Sequence, residues 1–340
     1  MRIFKWALVL LVLLTAAVTG AELLWGRWLS ADPLDLLALE RDSAQRVDTR
    51  ARFADGEEFI LRYDHWGVRG EGGDPARIDL LSLGGDAAAQ PLLPDDKTWQ
   101  ASMQAQFLAA QQSRVIVANA ARPTQDSAGV LAALRQWLIH VPGLHPRFVL
   151  VMVGDREMVP ATPAPRTEPA RFLDLFKRKS ALWHWWGTAH PPVIGAGRSS
   201  GWPMSLGPEK AGEWHDLAAP ALDRAVLDEY RQRLKQIADE IHDKGAVAVF
   251  VTIARGDLRL HGGKMQELPL NPPVAGEPAA VLAAFNAATR EACRENGFLC
   301  LDLAREVSFE PGDFSDYLHT SPAGAEKIGR WLYGKLAGLV

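Results

Sequence analysis

Two hydrophobic periods alternate along the chain. Short unbroken apolar runs at Ile78 to Leu83, Val115 to Val117, Phe148 to Val153, Val247 to Ile253 and Phe298 to Leu303 read as buried strands. Between them, apolar positions recur every three to four residues. Thr98 to Ala110 and Ala128 to Ile139 are two such helices, the second with Leu131, Leu134, Trp137 and Leu138 on one face. A longer one carries Val226, Leu227, Tyr230, Leu234, Ile237, Ala238 and Ile241 and stops at Gly245. Val281 to Glu295 ends before Gly297, and Pro322 to Leu336 has Ser321 as its N-cap and Pro322 in its first turn. Strands apolar on both faces, alternating with amphipathic helices, predict a mostly parallel sheet covered on both sides, a three-layer α/β/α sandwich. Ligands of such sheets bind beyond the carboxyl ends of the strands. The informative positions are therefore Gly84 to Ala87, Asn119 to Thr124, Gly154 to Glu157 and the Ser315 to His319 loop.

Two regions interrupt this rhythm. At the N-terminus, Arg2 and Lys5 precede an apolar run from Trp6 to Val18 that continues weakly to Leu24, with Trp25 and Trp28 beyond it. The run is near the length that crosses a bilayer, and the tryptophans suit an interfacial belt. Thr15 to Ala21 offers small residues but no clean Ala-x-Ala cleavage site at its end, so residues 1–29 read as an uncleaved signal anchor. The basic end stays cytoplasmic, which places the rest on the periplasmic or outer face as a single-pass inner-membrane protein. Residues 30–75 read as a stalk with a lead-in edge strand at Glu58 to Tyr63, and residues 76–340 as the main domain. Within it, residues 160–220 are rich in Pro and Gly and carry Trp183, Trp185, Trp186, Trp202 and Trp214. That stretch is too long for an ordinary connection and reads as an insertion over one end of the sheet.

The 340 residues are 48% hydrophobic with a formal net charge of −4, enough for a sizeable core and without the basic excess of a nucleic-acid binder. Cys293 and Cys300 have neither CxxC spacing nor nearby histidines, so a zinc site is not expected. They read first as small buried hydrophobes, with a disulfide as the alternative. No metal or cofactor is implied by any motif.

Candidate chemistry begins with Asp316-Tyr317-Leu318-His319, a D-x-x-H step just before a capped helix. One loop can then supply a base and the carboxylate that orients it. In this context the chain resembles the SGNH/GDSL hydrolase family, in its bacterial membrane-anchored branch. The likeness runs from His65-Trp66-Gly67-Val68-Arg69-Gly70 through the strand Ile78 to Gly85, Thr98-Trp99, Phe285-Asn286 and Leu301-Asp302-Leu303 to Asp316 and His319. The resemblance implies a flavodoxin-like sandwich and matches Asp316 and His319 to the catalytic Asp and His. It also implies oxyanion or substrate-binding roles for Gly85, Asn119, Gly154 and Arg156. The departures are specific. The family's nucleophilic serine follows a Gly-x pair after the first strand. Here Asp86 stands there, or Ala87 if the frame shifts by one. The second block lacks its glycine, and Arg156 stands where the third block has an asparagine.

Three functions remain open at this point. The first is an altered envelope hydrolase with Asp86, Asp316 and His319 as its catalytic set, acting on a small-molecule ester or a cell-envelope glycan. The second is an inactive pseudo-hydrolase that binds a glycan or serves as a scaffold. The third is a polysaccharide O-acyltransferase or deacetylase. A carboxylate attacking an ester gives a mixed anhydride, which weighs against a plain esterase.

Overall fold

A computed structural model describes residues 2–340 except 31, 38, 51–55, 111–114, 159–171, 196–212, 221, 270–277 and 311. Helix α1 (Arg2–Trp25) is followed by an antiparallel pair, β1 (Ser43–Asp48) and β2 (Glu58–Tyr63). The alternating unit then begins with β3 (Leu80–Gly84), the one-turn α2 (Asp86–Ala89), α3 (Trp99–Ala109), β4 (Val117–Asn119), α4 (Ser127–Ala132) and β5 (Phe148–Met152). Next come α5 (Phe172–Lys179), α6 (Ala181–Ala189), β6 (Val193–Gly195) and β7 (His215–Asp216). After α7 (Arg224–Asp243) and β8 (Val247–Val251), a hairpin of β9 (Leu258–His261) and β10 (Lys264–Glu267) precedes α8 (Ala279–Asn296). The chain closes with β11 (Leu299–Leu301), α9 (Leu303–Glu306) and α10 (Pro322–Leu336).

The central sheet is parallel and runs β4-β3-β5-β8-β11. Counted along the chain that order is 2-1-3-4-5, the flavodoxin-like doubly wound arrangement, which reverses between β3 and β5. Every residue of β3 and of β5 is buried, as their unbroken apolar runs require. One face is covered through Val130, Leu134, Trp137, Tyr230, Leu234 and Phe285, from the α4 region, α7 and α8. The other is covered by Trp99, Met103 and Phe107 of α3 against Ile328, Leu332 and Leu336 of α10. Each such fully buried large side chain stabilises the fold by about 1.5–3 kcal/mol. The predicted three-layer sandwich is the observed one.

The differences from expectation have local causes. The predicted strand at Val115 to Val117 lies two residues later, at Val117–Asn119. The Asp79 carboxylate accepts the Ile116 N–H and the Gln104 side chain accepts the Val117 N–H, so side chains satisfy the backbone where ladder bonds were expected. The predicted helix Ala128 to Ile139 is regular only to Ala132. It widens into a π-turn over Ala133–Trp137 and ends in a 3-10 turn. Trp137 lies fully buried at that turn, with its indole N–H on the Trp66 carbonyl at 2.6 Å.

Of the region read as an insertion, residues 159–171 and 196–212, Trp202 among them, lie outside the described residues. The described part does not simply cap the sheet. β6 joins β1 in parallel to make a small sheet, β2-β1-β6, and α6 packs on α1 and β1. Cys293 and Cys300 are free thiols that pack with the core beside α7 and α8.

Candidate active site

β3 ends at Gly84 with φ +144°, and a Cβ there would sit 2.0 Å from the Met152 carbonyl oxygen of β5. Only glycine allows that approach. The chain turns at Gly85, and Asp86 opens α2 with its side chain buried, 1% exposed. At the far end of the sequence, Phe314 and Thr320 pair across a tight loop, and the Ser315 N–H bonds the His319 carbonyl at 2.8 Å. Gln90, left-handed at φ 47°, joins the two regions. Its amide donates to Thr320 Oγ1 at 2.6 Å and its carbonyl accepts the Trp99 N–H at 2.7 Å.

The loop after β3 and the loop before α10 therefore meet. Asp316 holds His319 Nδ1 at 2.8 Å through Oδ2. Its Oδ1 accepts the backbone N–H groups of Leu318 and His319 at 2.8 and 2.7 Å. The other imidazole nitrogen, Nε2, lies 3.9 Å from Asp86 Oδ1, an ion pair too long for a direct hydrogen bond. Of the two residues open for the nucleophile position, Asp86 is the one facing His319 in this way. The Ala87 carbonyl accepts the Trp99 indole N–H at 3.3 Å.

Asp86 Oδ2 is enclosed on its other side. Arg156 donates from Nε at 2.8 Å and from Nη2 at 2.6 Å, and the Thr124 backbone N–H donates at 3.2 Å. The result is a chain of alternating charge running Arg156, Asp86, His319, Asp316. Burial by itself would raise the Asp86 carboxyl, but the nearby charge of His319 and the charge and hydrogen bonding of Arg156 hold it below the usual carboxylate range. Burial would likewise lower His319, yet Asp316 and Asp86 on its two sides hold it up at about 9. For Asp316, burial is outweighed by His319 and by the two backbone donors, so it too stays low. The cavity beside Asp86 and His319, walled by Leu92, Leu93 and Thr320, measures about 10 Å³. That is no more than one water needs.

Of the four residues expected as donors to an oxyanion or substrate, only Arg156 reaches this cluster. The Gly85 N–H goes to the Met152 carbonyl at 3.3 Å. Gly154, at φ +127°, is a turn against Phe285, Tyr230 and Leu282 on the core side. Both Asn119 amide hydrogens go to the Ala88 and Ala89 carbonyls, at 3.2 and 3.3 Å, and its oxygen accepts the Ala121 N–H at 3.0 Å. Asn119 thus braces α2. Sequence reasoning placed Thr124 at the end of an informative stretch but gave it no role. It is a β-branched residue at φ 64°, a conformation rare for its type, and it serves through its backbone. No cluster of His, Cys, Asp or Glu suited to a metal occurs among the described residues.

A family model described as the GDSL-like Lipase/Acylhydrolase family matches residues 85–327. Similar solved structures include the lipase/acylhydrolase from Enterococcus faecalis, at 14% identity with 77% of this chain and 96% of that chain covered and a TM-score of 0.44. The psychrotrophic esterase EstA from Pseudoalteromonas sp. is similar at 12% identity, covering 76% and 96%, with a TM-score of 0.42. A catalytic mutant of an acetylxylan esterase from Geobacillus stearothermophilus is similar at 13% identity, covering 76% and 93%, also with a TM-score of 0.42. No curated protein matches the chain.

Proposed function

The chain belongs to the GDSL-like lipase/acylhydrolase family, and on that premise we propose that it is a cell-envelope member whose hydrolytic centre is closed by its own Asp86. One observation carries this reading: the donors at the strand ends, Thr124 N–H and Arg156, converge on Asp86 Oδ2. Ester hydrolysis needs such donors aimed at the oxygen on which charge develops. Here they already hold a full negative charge.

The base is equally engaged. With His319 held up by its two carboxylates, the imidazole is mostly protonated at pH 7 and poorly able to accept a proton. Direct attack by the Asp86 carboxylate would yield a mixed anhydride, a poor route to ester hydrolysis. An ester or an envelope glycan, the ligand classes expected from the sequence, would have to displace the Asp86–Arg156 pair to enter. These points favour a pseudo-hydrolase over an O-acyltransferase or a deacetylase, both of which need the missing serine. The full chain in detergent is expected to turn over p-nitrophenyl acetate at the rate of buffer alone. Rapid turnover that disappears in His319→Ala would overturn the proposal.

The envelope assignment belongs to the same proposal. The helix Ile3–Trp25 is long and apolar enough to cross a membrane, and its apolar stretch is not buried in the fold. Its last turn is also woven into the folded chain. Glu22 accepts from Trp28 Nε1 and Ser180 Oγ, each at 2.7 Å, and from the Ala181 and Leu182 N–H groups at 3.0 and 3.2 Å. Just beyond it, the Arg27 N–H bonds the Lys179 carbonyl at 2.8 Å and its guanidinium meets Asp42 at 2.5 Å. Cleavage near Ala21 would leave Glu22 at a free chain end, without the helix that holds it against the first N–H groups of α6, so the anchor is expected to be retained. An intact mass showing that the mature chain begins after residue 21 would contradict this.

A further inference from the structure

Helix α6 has the sequence Ala-Leu-Trp-His-Trp-Trp-Gly-Thr-Ala and buries none of its residues. Trp185 is 65% exposed and Trp186 55%, with Leu182 and Trp183 also on the surface. A water-facing helix of a soluble domain carries polar residues there, so this face lacks its solvent. Its surroundings indicate what that solvent is. Val18 and Leu23 of α1, with Trp28, Phe176, Trp183 and Trp186, line an open apolar groove of about 770 Å³. The apolar surface of the anchor therefore runs without a break onto α6. Glu22 accepts the first N–H groups of α6 and fixes that helix at the outer end of the span. The rim is basic: α5 ends in Lys177, Arg178 and Lys179. Arg178 and Lys179 hold the Leu37 and Ser30 carbonyls, while exposed Lys177 lies 5.1 Å from the Trp183 ring.

We propose that α6 lies in the headgroup layer of the bilayer that α1 crosses, its tryptophans entering the acyl boundary and Lys177 facing anionic lipid phosphates. The inference rests on the anchor reading above and adds a second, in-plane contact with the same membrane. Tryptophan at an interface, aromatic and leucine side chains on the apolar side and lysine at the phosphate level are the arrangement of an interfacial helix. Two attachments would fix the tilt of the domain on the membrane, where the single span alone would leave it free to swing.

The test uses the full chain reconstituted into mixed phosphatidylcholine and phosphatidylglycerol vesicles. Bromine is carried either high on the acyl chains, near the headgroup, or near the chain ends. Tryptophan fluorescence is compared between wild type and the triple variant Trp183→Phe, Trp185→Phe, Trp186→Phe. Quenching by the shallow bromines is expected to fall by roughly half in the variant, because three of about six lipid-facing tryptophans are gone while Trp6, Trp25 and Trp28 still report the anchor. The lost part should respond more to shallow than to deep bromines. Equal quenching of wild type and variant would overturn the inference and leave the anchor standing, as expected if a protein partner or a second copy covers α6. Extraction of the chain from the vesicles by alkaline carbonate would overturn the anchor and this inference together.

Discussion

Asp86→Ser should raise p-nitrophenyl acetate turnover by roughly 10- to 100-fold over wild type. The substitution acts on three parts of the site at once. It supplies the hydroxyl that a general base can activate, at the position facing His319. It removes one of the two carboxylates that hold His319 protonated, so the imidazole moves down toward its ordinary range and becomes a usable base. It also releases the Thr124 N–H and Arg156, the two donors now on Asp86 Oδ2, to meet a developing oxyanion. A positioned base is worth about 10²–10⁴-fold and one oxyanion donor about 10²–10³-fold. The narrow cavity and the bulk of Arg156 in place of a neutral amide keep the expected gain well below their product. The gain should vanish when His319→Ala is added. A folded Asp86→Ser variant that stays at buffer background would show that Asp86 is not what closes the site.

The same charge chain should govern stability at alkaline pH. His319 is raised from 6.5 to about 9, so the stability it contributes is fully present below about pH 6.5 and is lost as pH rises through 9. A shift of that size corresponds to about 3 kcal/mol. Asp86 and Asp316 are shifted the other way, and their contribution is present above the ordinary carboxylate value of 3.8 and lost in acid. Stability should therefore be highest between those limits. Between about pH 6 and pH 10 the melting temperature of the wild type in detergent should fall by roughly 5 °C more than that of His319→Gln. Parallel pH profiles for the two proteins would show that His319 is not held protonated by its neighbours.

How much of this was legible in the sequence differs from element to element. β3 and β5 could be placed because a strand buried on both faces must be apolar throughout, and both are. The Asp316–His319 step was legible because three residues of one loop hold it together, with no distant partner needed. Asp86 was legible by its place after a strand and its glycines. Its ion pair with Arg156 was not, because that contact joins two loops seventy positions apart. The α2 contacts of Asn119 were not legible, because its amide could serve either an oxyanion or the α2 carbonyls and the sequence does not show where α2 packs. Thr124 was legible only as part of the stretch after a strand, since it acts through a backbone N–H that the fold holds in a left-handed turn. β1 was missed because Ser-Ala-Gln-Arg-Val-Asp has almost no hydrophobic contrast, and its partners are β2 and the distant β6.

In the closed site Asp86 and Asp316 together are expected to keep His319 in its charged form. Nitrogen-15 NMR of histidine-labelled protein between about pH 5 and pH 10 measures this directly, with His319→Gln identifying its signal among the nine histidines. His319 is expected to remain an imidazolium at neutral pH, with a midpoint near 9, and that midpoint should drop by at least about one unit in Asp86→Asn. A wild-type midpoint at or below the ordinary histidine value of 6.5 would mean a neutral imidazole poised as a base, and would contradict the closed site.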